Sequence, residues 1–389
     1  MTNVTIPDSV TSIGAYAFDN CNSLIDITLP NSITSIEEAT FYGCSSLANI
    51  TIPDSVTSIG NQAFTDCKSL ISFYSKSASE DNRCLIIDGE LNSFAPAGLT
   101  SYNIPNGITS IGANAFCNCS NLTSITIPDN VTSIGANAFW NCSNLTSITI
   151  PDNVTSIGAN AFWNCSNLTS ITIPDNVTSI GVNAFFCCNN LASFYGKFAS
   201  DDNRCLIIDG ELNSFAPAGL TSYTIPNNVN SIGEYAFMGC NKLTSIIIPN
   251  SVTTVEYSAF AYCSSLTSIA IPNSITTIEE DTFCGCSSLA NINIPNSVSS
   301  IGAYAFNNCK SLTSITIPNN ITTIGHNAFY GCTNLSSVYC KPTTPPKLGL
   351  NAFTDNSINL KIYVPTESVD TYKTSWRLYI EAIEGYNFE

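Results

Sequence analysis

The 23 residues LTSITIPDNVTSIGANAFWNCSN at 122–144 are followed, without a spacer, by the same 23 letters at 145–167. In a globule each position meets a different environment, so back-to-back identity is hard to accommodate. A stacked array favours it. Coils with like neighbours above and below face one packing problem and can reuse one solution. A chain of 389 residues would ordinarily suggest two or three domains, but an array grows by adding units to one core.

Ile-Pro or Leu-Pro recurs from Pro7 to Pro318 every 23 residues, apart from two gaps of 52, from 53 to 105 and from 174 to 226. Each wide gap holds a 29-residue variant unit, near 76–104 and 197–225, and DNRCLIIDGELNSFAPAGLTSY stands at 81–102 and again at 202–223. The common unit reads L-x-x-I-x-I-P-x-x-V-x-x-I-G-x-x-A-F-x-x-C. Ile125 and Ile127 alternate with Ser124 and Thr126, the period of a strand with one buried face. Pro128 ends that strand because it has no N–H to donate. VTSIG is a second extended run, with Val131 and Ile134 inward; Gly135 permits a turn, and ANAFWNC is predicted to form a helical or 3₁₀ turn.

One such coil has too few apolar side chains to offset the entropy of ordering its backbone, so neighbours must cover both faces. The expected fold is a β-rich, right-handed solenoid over 1–340, with parallel strands and short helical turns. Residues 341–389 leave the pattern and are predicted to cap the C-terminal end. There Pro365 and Thr366 read as a strand end entering a helix N-cap, with Trp376, Tyr379, Ile380 and Ile383 over the last coil. The N-terminal end shows no counterpart, and an uncovered apolar end predicts self-association.

The unit closely resembles the BspA-like class of leucine-rich repeats, most clearly over 24–44, 122–142, 145–165 and 312–332, and IYVPTESVDTYKTSW resembles its closing element. That resemblance implies a leucine-rich-repeat solenoid at the cell surface or secreted. It also implies a non-enzymatic adhesion role toward host matrix or other extracellular proteins. The opening MTNVTIPDSVTSIG lacks the basic and apolar regions of a secretory signal. Only 11% of residues are charged and the net charge is −17, which argues against nucleic acid and anionic lipid as partners. No apolar stretch approaches the roughly 20 residues of a membrane span.

Twelve of the 18 cysteines fall three residues after the unit's Phe, from Cys21 to Cys332. In stacked coils their side chains run parallel, so a ladder of buried free thiols is expected. The off-register Cys117, Cys187, Cys284 and Cys340 are better placed to pair. Zinc needs four converging ligands, and the sole histidine, His326, sits at a variable position; no cofactor is expected. Catalysis by a Ser-His-Asp or Cys-His arrangement would have to use that one residue. Glu37, Glu38, Glu279, Glu280 and Asp281 read as a solvated acidic turn. Asp129, Asp152 and Asp175 should form a column of carboxylates, a weak candidate for Ca²⁺, although local turn capping explains them as well.

Two surfaces remain for binding. Ser124 and Thr126, Ser147 and Thr149, and Ser170 and Thr172 form outward rows of small hydroxyls. Trp140, Trp163 and Phe186 follow the unit's Phe in three successive coils and are predicted to stack as an apolar strip for a protein or a glycan. Asn141, Asn144 and Asn153 begin Asn-x-Ser/Thr acceptor sequences. The leading expectation is a protein-interaction or adhesion solenoid. Its rivals are an ice- or mineral-lattice binder acting through the Ser-x-Thr rows and a carbohydrate-binding module acting through the strip. A glycan hydrolase would need two facing carboxylates, and none can be placed.

Overall fold

Ser124–Thr126 hydrogen-bonds in parallel to Ser101–Asn103 on one side and Ser147–Thr149 on the other, in a computed structural model that describes residues 2–388. The register places Ser101, Ser124 and Ser147 in one row, and Tyr102, Ile125 and Ile148 in the next. Ile125 is 4% exposed while Ser124 and Thr126 face outward, so the period-two reading holds. A second parallel sheet joins Ser110–Ile111, Ser133–Ile134, Ser156–Ile157 and Ser179–Ile180. Residues 2–199 form one unit of this solenoid and residues 200–388 another.

The third wall is not helical. Asn137, Phe139 and Asn141 donate their N–H groups to the carbonyls of Ala159, Ala161 and Trp163 in the next coil, at 2.9, 2.8 and 2.7 Å. Between them, Ala138, Trp140 and Cys142 donate within their own coil, to Gly135, Asn137 and Phe139. This zigzag of tight turns requires left-handed backbone at Asn137 (φ 55°) and Asn141 (φ 59°), which asparagine tolerates better than most residues. A helical turn would keep its N–H groups to itself. Here neighbouring carbonyls are already at bonding distance, and they win every second one.

Gly135 and Gly158 have a role other than turning. A Cβ on Gly158 would lie 2.4 Å from the Ala136 nitrogen of the preceding coil, and one on Gly135 would lie 2.6 Å from Ala113 N. The missing side chain permits close approach between coils. Glu37, Glu256 and Glu279 occupy the equivalent position elsewhere.

Inside, the phenylalanines stack. Phe116, Phe139, Phe162 and Phe185 follow one another at 5.2, 5.2 and 5.3 Å, with ring planes within 12°. Each variant unit interrupts such a stack. In it Cys84–Ile87 and Glu90–Phe94 form an antiparallel hairpin around Asp88 and Gly89, both at positive φ, and Glu90 and Leu91 then join the second sheet beside Ser110 and Ile111. Phe73 closes the stack below edge-on to Phe64 (72°), and Phe94 opens the next one against Phe116. Cys84 Sγ meets the Tyr102 hydroxyl at 3.2 Å in this unit. The second unit repeats the hairpin at Cys205–Ile208 and Glu211–Phe215.

The second unit runs through parallel strands to Ser314–Ile317, Ser337–Cys340, Lys361–Pro365 and Ile383–Tyr386. Helix Val369–Ser375 follows Lys361–Pro365 and presses Tyr372 and Trp376 into the core. The Trp376 indole donates to Pro346 O at 2.9 Å and the Tyr372 hydroxyl donates to Pro342 O at 2.7 Å. Two expectations fail here. Thr366 caps no helix; its hydroxyl donates to Asn387 Oδ1 at 2.9 Å. Ile380 points outward, 39% exposed, because the turn Arg377–Ala382 is irregular at Tyr379.

All 18 cysteines are free, the off-register Cys117, Cys187, Cys284 and Cys340 included. None of those four, though better placed to pair than the ladder thiols, is joined to another sulfur. Cys340 meets the Tyr372 hydroxyl at 3.3 Å and Cys284 the Asn307 amide oxygen at 3.8 Å, rather than another sulfur. Ladder thiols have a definite task. Cys142, Cys165 and Cys188 donate to the carbonyls of Phe116, Phe139 and Phe162 in the preceding coil, at 3.2, 3.3 and 3.2 Å. Cys263, Cys286, Cys309 and Cys332 do the same in the second unit at 3.1–3.2 Å.

Gly158→Ala should destabilise the first unit by about 1–3 kcal/mol. Gly14→Ala, where a Cβ would meet nothing within 4 Å, should cost less than about 0.5 kcal/mol. Equal shifts in urea midpoint would refute the close-approach role. The thiols make a second prediction. A soluble disulfide reagent should modify only the half-buried Cys21 and Cys187 quickly, and all 18 cysteines after denaturation. Burial also holds the Cys84, Cys332 and Cys340 thiols up to about 12, against an ordinary 9.0. Unfolded thiols thus ionise first, so the stability present below about pH 9 should fall steadily as pH rises toward about 12. A urea midpoint flat across that window would contradict thiol burial.

Candidate interaction surface

Hydroxyl groups divide into two sets by what they bond. Thr123 and Thr146, just before the main strands, donate to Thr100 O and Thr123 O of the preceding coils at 2.9 and 3.1 Å. Thr132, Thr155 and Thr178 likewise donate to Thr109 O, Thr132 O and Thr155 O at 3.0–3.1 Å. The main-strand rows differ. Ser124, Thr126, Ser147, Thr149 and Thr172 are exposed, Ser170 is half-buried, and their hydroxyls make no hydrogen bond among the described residues. The rows are small, flat and open to a partner.

In the second unit the same face carries Ser268, Asn291 and Ser314 in one row and Ala270, Asn293 and Thr316 in the next, around a shallow trough of about 410 Å³.

The aromatic strip is less regular than its spacing predicts. Trp140, Trp163 and Phe186 are all half-buried. Trp163 and Phe186 meet edge-on, with centroids 4.3 Å apart at 64°, whereas no ring contact joins Trp140 to Trp163 among the described residues. Beside them runs an unanticipated amide ladder. Asn164 Nδ2 donates to Asn141 Oδ1 at 2.7 Å, and Asn141 Nδ2 to Asn118 Oδ1 at 2.8 Å. The Asn141 amide is thus part of this ladder, and the exposed Asn153 amide donates to Asp129 O at 2.8 Å. The residue before the ladder cysteine is Asn20, Gly43, Asp66, Asn118, Asn141 and Asn164 in six of the coils, a signal for left-handed backbone legible without a structure.

Asp129, Asp152 and Asp175 are exposed, where each charge is better solvated by water than gathered with its like. Among the described residues no group of three or more His, Cys, Asp or Glu could hold a metal ion. His326 is exposed and accepts a hydrogen bond at Nδ1 from Leu350 N–H at 2.9 Å, which ties it to the next coil. No helix among the described residues is long and apolar enough to cross a membrane.

The model for the BspA type leucine rich repeat region (6 copies) matches residues 1–82, 90–200, 211–336 and 254–376. Among solved structures, a leucine rich cell surface protein from Faecalibacterium prausnitzii A2-165 is 29% identical, with a TM-score of 0.59 over 87% of this chain and 88% of that one. A leucine-rich repeat protein from Eubacterium ventriosum is 23% identical, with a TM-score of 0.51 over 92% and 89%. The pneumococcal vaccine antigen PcpA is 19% identical, with a TM-score of 0.51 over 99% and 88%. These last two share the fold alone. No curated protein sequence matches. Because that family model covers well over half of its residues, the chain belongs to the BspA-type leucine-rich-repeat family.

Proposed function

We propose that this chain is a non-enzymatic adhesion solenoid, displayed at a cell surface or secreted, that binds host matrix or other extracellular proteins. The binding surface of the first unit comprises the outward rows Ser124 to Thr172 together with the half-buried Trp140, Trp163 and Phe186. One observation carries the reading. Threonine hydroxyls on either side of the main strand are bonded between coils, while those of the main-strand rows stay open. Unused donors and acceptors offer a partner hydrogen bonds, and aromatic rings are enriched at protein-binding surfaces. Similarity to a protein described as a leucine rich cell surface protein supports the location.

The test is solid-phase binding of the full chain to immobilised matrix proteins. Trp140→Ala with Trp163→Ala, and separately Thr149→Arg on the row, should each weaken binding by about tenfold or more, with the thermal midpoint monitored to verify the fold. Unchanged affinity in both would remove this surface from the interaction. Thermal hysteresis or altered crystal habit would instead favour the lattice-binding rival.

A further inference from the structure

The outward face changes character at the last strands of the second unit. Alternation that buries Val338, Ile362 and Ile383 turns Tyr339, Tyr363 and Tyr386 to the outside. Tyr339 and Tyr363 stack at 5.1 Å and 19°, and Tyr386 closes against Tyr339 at 5.6 Å and 72°. Phe388 meets Tyr386 at 5.0 Å. Tyr386 remains 44% exposed, and with Tyr339, Phe388, Thr316, Lys341 and Asn387 it lines a hollow of about 510 Å³. The core does not need these rings, since Val338, Ile362, Trp376 and Ile383 already close it. Thr316 also lines the trough over Ser268–Ala270, Asn291–Asn293 and the strand that follows, so the two depressions share that residue.

Charge narrows the ligand. Lys361 is paired with Glu384, but Lys341 on the wall of the hollow has no ion pair among the described residues. Its ammonium, beside the rings of Tyr339, Tyr386 and Phe388, is a local partner for a negative group. An apolar peptide would leave that charge unanswered. A sugar presents C–H faces to aromatic rings and hydroxyls to Thr316 and Asn387, and an acidic sugar adds the carboxylate that Lys341 lacks.

We propose that the hollow bounded by Tyr339, Tyr386, Phe388 and Lys341 binds the carboxylate-bearing end of an acidic saccharide, with further sugars running into the trough past Thr316. This site lies in the other unit from the proposed protein-binding rows, so either can fail without the other. Calorimetric titration of the full chain with trigalacturonic acid, 3′-sialyllactose and neutral cellotriose tests it. At least one acidic saccharide should bind, with cellotriose about tenfold weaker or more. Tyr386→Ala should weaken that binding by about tenfold, and Lys341→Met should abolish the preference for acid over neutral sugar. Phe388→Ala provides a second aromatic variant should Tyr386→Ala not fold. The proposal is overturned by no acidic binding at roughly 10 mM, by affinity indifferent to the aromatic variants, or by an acid preference that survives Lys341→Met.

Discussion

Everything in this fold depends on backbone groups that must find partners in a neighbouring coil. A 23-residue circuit without a helix cannot satisfy its own N–H and C=O groups, and burying them unpaired is costly. Each wall solves this by reaching to an adjacent coil. Ser124–Thr126 bonds to its neighbours as strand, Gly135 N–H donates to Ile111 O at 2.8 Å, and Phe139 N–H donates to Ala161 O at 2.8 Å. That spacing then dictates the interior. Phenyl rings 5.2–5.3 Å apart stack nearly parallel because one ring per rung fits the hydrogen-bonded repeat. Glycine recurs where backbones touch, and cysteine where a small side chain can donate to a carbonyl one rung back.

The regularity has defined interruptions, and they share a chemistry. Wherever a phenylalanine stack is broken or closed, a buried cysteine lies against a tyrosine hydroxyl: Cys84 with Tyr102, Cys205 with Tyr223, and Cys340 with Tyr372, at 3.1–3.3 Å. In the hairpin units Asp81 and Asp202 accept from the same tyrosines. A phenyl ring of the regular repeat offers no hydroxyl for such a junction. These polar knots satisfy one another locally and leave the flanking stacks apolar.

The sequence made the array, its period, the strand faces and the thiol ladder readable, because each is a local pattern that a buried position enforces. Ile125 had to be inside once Ser124 and Thr126 flanked it. ANAFWNC looks like a helical turn until neighbours compete for its N–H groups, a non-local effect no single unit reveals. The asparagines at 137 and 141 carried that information, as did Asp88 and Gly89 for the hairpin. Gly135 stands out within the unit, but only the preceding coil reveals close approach as its cause. The site was harder still. Spacing put Trp140, Trp163 and Phe186 in one column, but how far each ring sinks into its wall depends on side-chain packing that spacing does not encode.

Residues 122–144 and 145–167 present identical letters to whatever lies on either side. A recombination event that deletes or adds one 23-residue block there leaves every rung with a partner it already had, and the phenyl column loses or gains one ring without a mismatch. Length is thus an inheritable variable that selection can adjust in whole increments, and reach toward a target can change while chemistry stays fixed. Most folds must mutate their surface to explore new contacts; this one can also count.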